Sequence, residues 1–344
     1  MNSRERVLAA FDFKPVDKVA VQYLYTPVGF YEHGEKLNDL YLSHVGDFSP
    51  FTRREIPVLP PEAFDKNGNY YETKRDEWGT LWEYRIFGIA GIEKEYPLDD
   101  WAKLTDYKFP GLPKFVTDPI EFEKTKAQVK SHQTEYFYRY SCISLFEKTI
   151  ALRPFEDVLC DLYMDDPNMI DFLDRLTDYY EKIIDALIKM GVDCINFGDD
   201  FGTQENLIFS LDIFRAHFKP RYERLMKPIR DAGIKISFHS CGQIKDLFPE
   251  FADLGVNGVW PQITVYDMQD LADTLRDMKM ALAIHTDRSY TMTYGTPDDV
   301  KAMVKKEFEI FRPDKGGSWF YVETDNGMPF ENVKTLVESI WEYR

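Results

Sequence analysis

The sequence predicts an α/β fold, a single (β/α)8 TIM barrel with an N-terminal helix and an inserted β-meander, and three observations carry that expectation. Short apolar runs with strand alternation recur along most of the 344 residues, and most of the later ones are followed by a helical segment. No Gly-rich dinucleotide fingerprint follows any of them, which favours a barrel over a doubly wound sheet. Hydrophobic residues at 44% and aromatics at 15% supply the core that a domain of this length needs. No internal repeat or low-complexity tract divides the chain, so residues 1–344 read as one barrel domain.

Taken in order, Ser3 can cap a helix through about Phe11, and Pro15-Val16-Asp17 ends it before the apolar run Val19 to Leu24, the first strand. A helix near Glu35 to Leu42 follows, and Val45-Gly46-Asp47-Phe48-Ser49-Pro50-Phe51 reads as the second strand. From Thr52 to about Pro113 the alternation breaks into prolines, aromatics and an Asn67-Gly68 turn signal. Tyr70 to Thr73, Trp82 to Phe87 and Ile92 to Tyr96 read there as short antiparallel strands inserted into the barrel frame. The insertion at 52–113 is either a lid or wall of the pocket, or a solvated excursion.

The regular pattern resumes with a helix from about Pro119 to Ser131 and a strand at Tyr136 to Tyr140. Helical segments run from Phe155 to Met190, broken at Asp166-Pro167, and Gly191 to Phe197 is the next strand. A helix from Ser210 to Ala232 leads to Ile234-Lys235-Ile236-Ser237-Phe238-His239-Ser240-Cys241-Gly242, where Gly242 frees the backbone to turn into a helix at Ile244 to Leu254. Gly255 to Trp260, Met280 to Ile284 and Ser318 to Val322 complete the eight strands of a barrel. Thr296-Pro297-Asp298-Asp299 supplies an N-cap, a first-turn proline and early acids to one of the last helices.

A net charge of −17 repels a nucleic-acid backbone and an anionic membrane surface, so neither is an expected partner. No segment approaches the apolar length of a membrane helix, and the charged start Met-Asn-Ser-Arg-Glu-Arg does not read as a signal peptide. Cys142, Cys160, Cys194 and Cys241 show no paired spacing, which fits a reducing compartment. The expected location is the cytoplasm; assembly is left open, a homodimer included.

Barrel chemistry gathers at the carboxyl ends of the strands. Those ends carry Asp199 and Asp200, then His239 and Cys241, then Trp260 and Gln262, then His285, Thr286, Asp287 and Arg288, and finally Glu323 and Asp325. His239 and Cys241 stand at i and i+2 and therefore share a face, and imidazole nitrogen with thiolate sulfur suits Zn²⁺. Against this, a lone Cys often packs as a small hydrophobe and a His near a strand end is often hydrogen-bonded structure. Adjacent Asp199 and Asp200 repel, so one is expected to have a raised pKa if both face the pocket. The other arrangement has one in the pocket and one capping the loop at Phe201 to Gln204. Asp199, Asp200 and His285 are the candidate catalytic groups, and Tyr23, Gln204, Trp260 and Arg288 the candidate substrate contacts.

Several stretches resemble the uroporphyrinogen decarboxylase superfamily: Arg4-Glu5-Arg6-Val7-Leu8-Ala9-Ala10 with Pro15-Val16-Asp17, Asp76-Glu77-Trp78-Gly79, Gly198-Asp199-Asp200-Phe201-Gly202-Thr203-Gln204, and His239-Ser240-Cys241-Gly242. Their order and spacing cover nearly the whole chain, and the resemblance implies a (β/α)8 barrel. True decarboxylases of that superfamily carry an arginine-bearing loop after the first strand, whereas Tyr23 to Gly34 has no arginine here. The other branch, corrinoid-dependent methyltransferases, holds zinc through His, Cys and a later Cys. The resemblance places His239 and Cys241 on the first two ligand positions. No cysteine follows Cys241, so Asp325 or Glu323 is expected to take the third.

The resemblance thus implies a zinc-dependent methyltransferase moving a methyl group between a corrinoid, methylcobalamin or a separate corrinoid protein, and a thiol or pterin acceptor. The alternative is a decarboxylating lyase in which Asp199 or Asp200 protonates a carbanion-like centre and Arg288 or Arg139 holds a carboxylate. A binding role without turnover is the third reading.

Overall fold

The computed structural model describes residues 1–344, apart from the side chain of Cys142. Seven parallel strands form one sheet: β1 (Val21–Leu24), β5 (Arg139–Ile143), β6 (Cys194–Gly198), β7 (Lys235–Ser240), β8 (Gly258–Pro261), β9 (Ala281–His285) and β10 (Ser318–Glu323). Their order is β1-β10-β9-β8-β7-β6-β5. Three further strands, β2 (Glu72–Arg75), β3 (Leu81–Tyr84) and β4 (Ile92–Glu95), make a separate antiparallel meander.

The curled sheet has one strand fewer than the sequence suggests, because Val45 to Phe51 forms none. Asp47 bridges from β1 towards β5: its N–H donates to the Val21 carbonyl (2.8 Å), and its carbonyl accepts from the N–H of Phe137, two residues before β5 (3.4 Å). Gly46 lies so close to β1 that a Cβ there would meet the Val21 carbonyl oxygen at 2.7 Å, and Pro50 has no N–H to give a ladder. The Asp47 side chain replaces strand pairing. Completely buried, it accepts from Val21 N–H (2.9 Å), Ser3 Oγ (2.9 Å), Arg6 and Arg344.

Other elements differ mainly at their ends. The first helix, Ser3–Phe11, is capped by Asn2 rather than by Ser3, whose hydroxyl is taken by Asp47; Asn2 and Glu5 form a capping box. The strand expected at Tyr136 to Tyr140 is displaced to Arg139–Ile143. Helices Phe155–Tyr163 and Pro167–Met190 flank the break at Asp166, and Thr296 caps Pro297–Phe311 as expected, in a capping box with Asp299. No helix among the described residues is long and apolar enough to cross a membrane.

Two apolar layers follow from the strand period. In β7, Ile236 and Phe238 join the large cluster shared with the outer helices, while Ser237 and His239 alternate to the inner face. The inner cluster contains Phe11, Phe137, Cys194, Ala281, Ala283, Trp319 and Tyr321. Phe11 stacks on Phe137 (5.5 Å) and tilts against Trp319 (4.7 Å), so the N-terminal helix packs into the inner layer.

The meander is fastened to the outer helices. Trp78 meets Tyr179 edge-on, Thr80 Oγ1 donates to the Ala151 carbonyl (2.6 Å), and Arg153 donates to the Leu98 carbonyl (3.0 Å). No described residue of 52–113 is among those lining the strand-end cavity.

Candidate metal centre and strand-end cavity

Register brings the site together. β6 and β7 pair Gly198 with His239, so Asp200, two residues past Gly198, falls beside Cys241, two residues past His239. The loops that follow touch backbone to backbone. Gln243 N–H donates to the Thr203 carbonyl (2.7 Å), Phe201 N–H to Ser240 Oγ (3.0 Å) and Cys241 N–H to Asp200 Oδ1 (2.7 Å). Such contact needs glycine on both sides. A Cβ on Gly202 would meet Gln243 N at 2.7 Å, and one on Gly242, whose φ is +78°, would meet the Gly202 carbonyl at 2.3 Å.

Asp200, His239 and Cys241 place one donor atom each within 4.8 Å of one another. His239 Nε2 is 3.3 Å from Asp200 Oδ1 and 3.5 Å from Cys241 Sγ. Its Nδ1 is 2.7 Å from the Trp260 carbonyl, an oxygen that can only accept, so Nδ1 carries a proton and Nε2 is the ring atom that faces the other two groups. Burial opposes a charge on His239, but Asp200 and Cys241 outweigh it and hold the imidazole up at about 10. Asp200 is held low: burial works against its charge, and His239 with the Cys241 amide overcomes it. A setting that favours a proton on Nε2 also favours a cation in its place, and the N, S, O donor set fits Zn²⁺.

Asp325, the expected third ligand, stands outside this cluster, and Asp200 takes its place. The reason is sheet order: β10 is separated from β7 by β8 and β9, whereas β6 is the direct neighbour. Asp325 instead faces Arg288 (3.4 Å). Asp199 also departs from expectation. It is completely buried and accepts from Leu145 N–H (2.8 Å), Glu147 N–H (2.6 Å) and Tyr222 O–H, rather than facing the cavity. Burial, opposed by the Tyr222 hydroxyl and the two amides, pushes it up to about 7.

A cavity of about 350 Å3 opens beside the cluster, lined by Gln204, His239, Cys241, Trp260, Gln262, His285, Thr286, Asp287, Arg288 and Glu323 among others. Trp260 tilts against His239 (4.0 Å) and Tyr321 (4.2 Å), and its indole N–H donates to His285 Nδ1 (3.1 Å). His285 Nε2 therefore carries its proton, 3.5 Å from Glu323 Oε2. Burial, Arg288 and His239 press His285 down to about 3, so it is neutral at pH 7. Glu323 is raised by burial, with Arg288 3.7 Å away opposing the rise. Gln204, Trp260, His285 and Arg288 thus share the cavity as the sequence suggests. Tyr23 does not; its ring packs among Tyr25, Tyr41 and Trp341.

Glu147 is the group that strand-end reading missed. Its carboxyl is raised, by desolvation first and then by the charge of Asp200, and lowered by His239. It comes from the helix Phe146–Leu152 after β5, whose displaced end hid it.

These features define an α/β protein with a parallel curled sheet and a candidate metal centre at the carboxyl ends of its strands. The chain belongs to the uroporphyrinogen decarboxylase (URO-D) family, whose model matches residues 143–343, more than half of it. It is similar to the methylcobamide:CoM methyltransferase MtaA of Methanosarcina barkeri, 22% identical over 184 residues. That match spans 49% of this chain and 50% of the relative, about half the length of each. A methyltransferase from Methanosarcina mazei shares the fold with a TM-score of 0.66 at 17% identity, over 100% of this chain and 99% of that one.

Proposed function

We propose that this protein is a zinc-dependent methyltransferase that moves a methyl group between a corrinoid and a thiol or reduced-pterin acceptor. The corrinoid would arrive as methylcobalamin or on a separate small protein. The observation that carries the reading is the cluster of Asp200, His239 and Cys241, three donors of the right kinds at one point, two of them in the cavity wall. The curated relative whose name includes a methylcobamide supports it.

Zinc held by these three residues would keep an acceptor thiol deprotonated at neutral pH. The protein's own groups do the rest. The Trp260 carbonyl orients His239, and the Cys241 amide orients Asp200. Glu323, raised by burial and 3.5 Å from His285 Nε2, would accept the proton that the acceptor gives up. Arg288, on the cavity wall between Glu323 and Asp325, offers a cation to an acidic end of the acceptor. Trp260 presents the apolar face that a corrinoid rim would contact, and Gln204 a polar edge beside Gln262.

The test uses the purified protein with zinc, methylcobalamin and a panel of thiols and reduced pterins. About one zinc per chain is expected, with demethylation seen in the corrinoid spectrum for at least one acceptor. A protein that folds, binds no zinc and releases coproporphyrinogen from uroporphyrinogen at a catalytic rate would overturn the proposal.

A further inference from the structure

Trp260 stands near the carboxyl end of β8, level with His239 of β7, and packs against the inner apolar layer. Rings from three other strands close on its indole: His239 of β7 at 4.0 Å, Tyr321 of β10 at 4.2 Å and His285 of β9 at 5.7 Å. His285 also meets the buried Tyr321 edge-on at 4.8 Å. The indole is thus held in one place by side chains that are themselves held.

The two ends of this residue have opposite hydrogen-bonding characters, since a carbonyl can only accept and an indole N–H can only donate. The carbonyl takes the Nδ1–H of His239 (2.7 Å), whereas the indole gives its N–H to Nδ1 of His285 (3.1 Å). One residue therefore sets two neighbouring imidazoles in opposite senses, with a proton on Nδ1 of His239 and a lone pair on Nδ1 of His285. Burial, Arg288 and His239 keep His285 neutral at pH 7. A neutral imidazole has a single N–H, so that of His285 sits on Nε2, 3.5 Å from Glu323 Oε2, and both residues line the strand-end cavity.

We propose that Trp260 is a positioning residue of this site: its indole holds His285 as the Nε2–H tautomer, so that the ring offers a neutral donor beside Glu323 and cannot serve there as a base. The role in turnover rests on the proposed methyl transfer, where it leaves Glu323 as the group that takes the acceptor's proton and gives His285 the task of steadying that carboxylate. The tautomer itself does not depend on that reaction. With phenylalanine at position 260 the Nδ1 donor is gone while the backbone carbonyl that orients His239 remains.

NMR of the full chain labelled with nitrogen-15 in its imidazole rings, with and without zinc at pH 7, tests this through long-range proton–nitrogen correlations. The chain has 6 histidines, and His285→Gln identifies the signals of His285. Wild-type His285 is expected as the Nε2–H form. Trp260→Phe should lower its ratio of Nε2–H to Nδ1–H roughly 5- to 10-fold, the scale of one neutral hydrogen bond. Zinc affinity should meanwhile fall by less than the ~10-fold that loss of a ligand's support costs. If Trp260→Phe does not fold, Trp260→Tyr, which keeps an aromatic ring but has no indole N–H, should show the same shift. An Nδ1–H form of His285 in the wild type would overturn the role, as would a tautomer ratio unchanged in the folded variant. No corrinoid or acceptor is present in this measurement, so a failed tautomer shift counts against Trp260 and a failed methyl transfer against the proposed function.

Discussion

Asp200 is both scaffold and candidate ligand, since one oxygen accepts the Cys241 amide and faces His239 Nε2. Loss of a direct ligand should cost at least the ~10-fold that loss of a supporting group costs. His239→Ala and Cys241→Ser are therefore each expected to lower zinc affinity by that much or more in a chelator competition. Wild-type affinity in both would place the metal elsewhere. Glu307 makes a separate case. It is fully buried, with Oε2 accepting from Thr286 Oγ1 (2.7 Å) and Oε1 unpaired among the described residues. Burial raises it to about 8, above its ordinary 4.5. A raised acid binds its proton more tightly in the folded chain, so its contribution is fully present below 4.5 and is lost as pH rises through about 8. Glu307→Gln should flatten the fall of stability between pH 5.5 and 8, removing a slope of up to about 1.4 kcal/mol per pH unit. Urea denaturation at both pH values reads this directly; identical slopes in variant and wild type would reject it.

At the scale of elements, the centre depends on two loops held together through glycines. Gly202→Ala puts a methyl against the Gly242 carbonyl carbon at 2.7 Å and the Cys241 carbonyl oxygen at 2.8 Å, both rigid backbone. The loops after β6 and β7 should part, and zinc affinity should fall at least ~10-fold in a chain whose far-ultraviolet circular dichroism is unchanged. Unchanged affinity would mean that the loops tolerate separation. Asp199 ties a third loop into the same end of the sheet. Because all three of its partners donate, Asp199→Asn places an amide N–H₂ against one of them and should cost roughly 1 to 3 kcal/mol in a denaturant midpoint assay. A drop in activity with no change in that midpoint would return Asp199 to the cavity chemistry.

At the scale of the molecule, Asp47 joins the first helix, the start of β1 and the last residue of the chain, through Ser3 and Arg6, Val21 and Arg344. Removing one partner of a buried ion pair leaves the other charges uncompensated, typically at about 3 to 5 kcal/mol. Asp47→Ala is expected to destabilise by that order in equilibrium unfolding, and Arg344→Ala by less because Arg6 remains. A loss below about 1 kcal/mol, the scale of an exposed pair, would show that the network is dispensable.

The sequence by itself determined the parallel α/β pattern, the antiparallel meander and the sharing of one face by His239 and Cys241, because strand period, turn residues and an i, i+2 relation are local properties. Residues at separate strand ends, such as Trp260, His285 and Arg288, were also legible, since any parallel strand delivers its carboxyl end to the same side of the sheet. Only the tertiary structure decided that Asp200 and not Asp325 completes the cluster, because that choice rests on which strands are neighbours and in what register. It also decided that Asp199 turns away to bind the amides of Leu145 and Glu147, contacts across more than fifty positions of chain. The missing strand is the plainest instance: Val45 to Phe51 reads as a strand, but Arg6 and Arg344, at opposite ends of the chain, converge on Asp47 and set its place between the sheet edges.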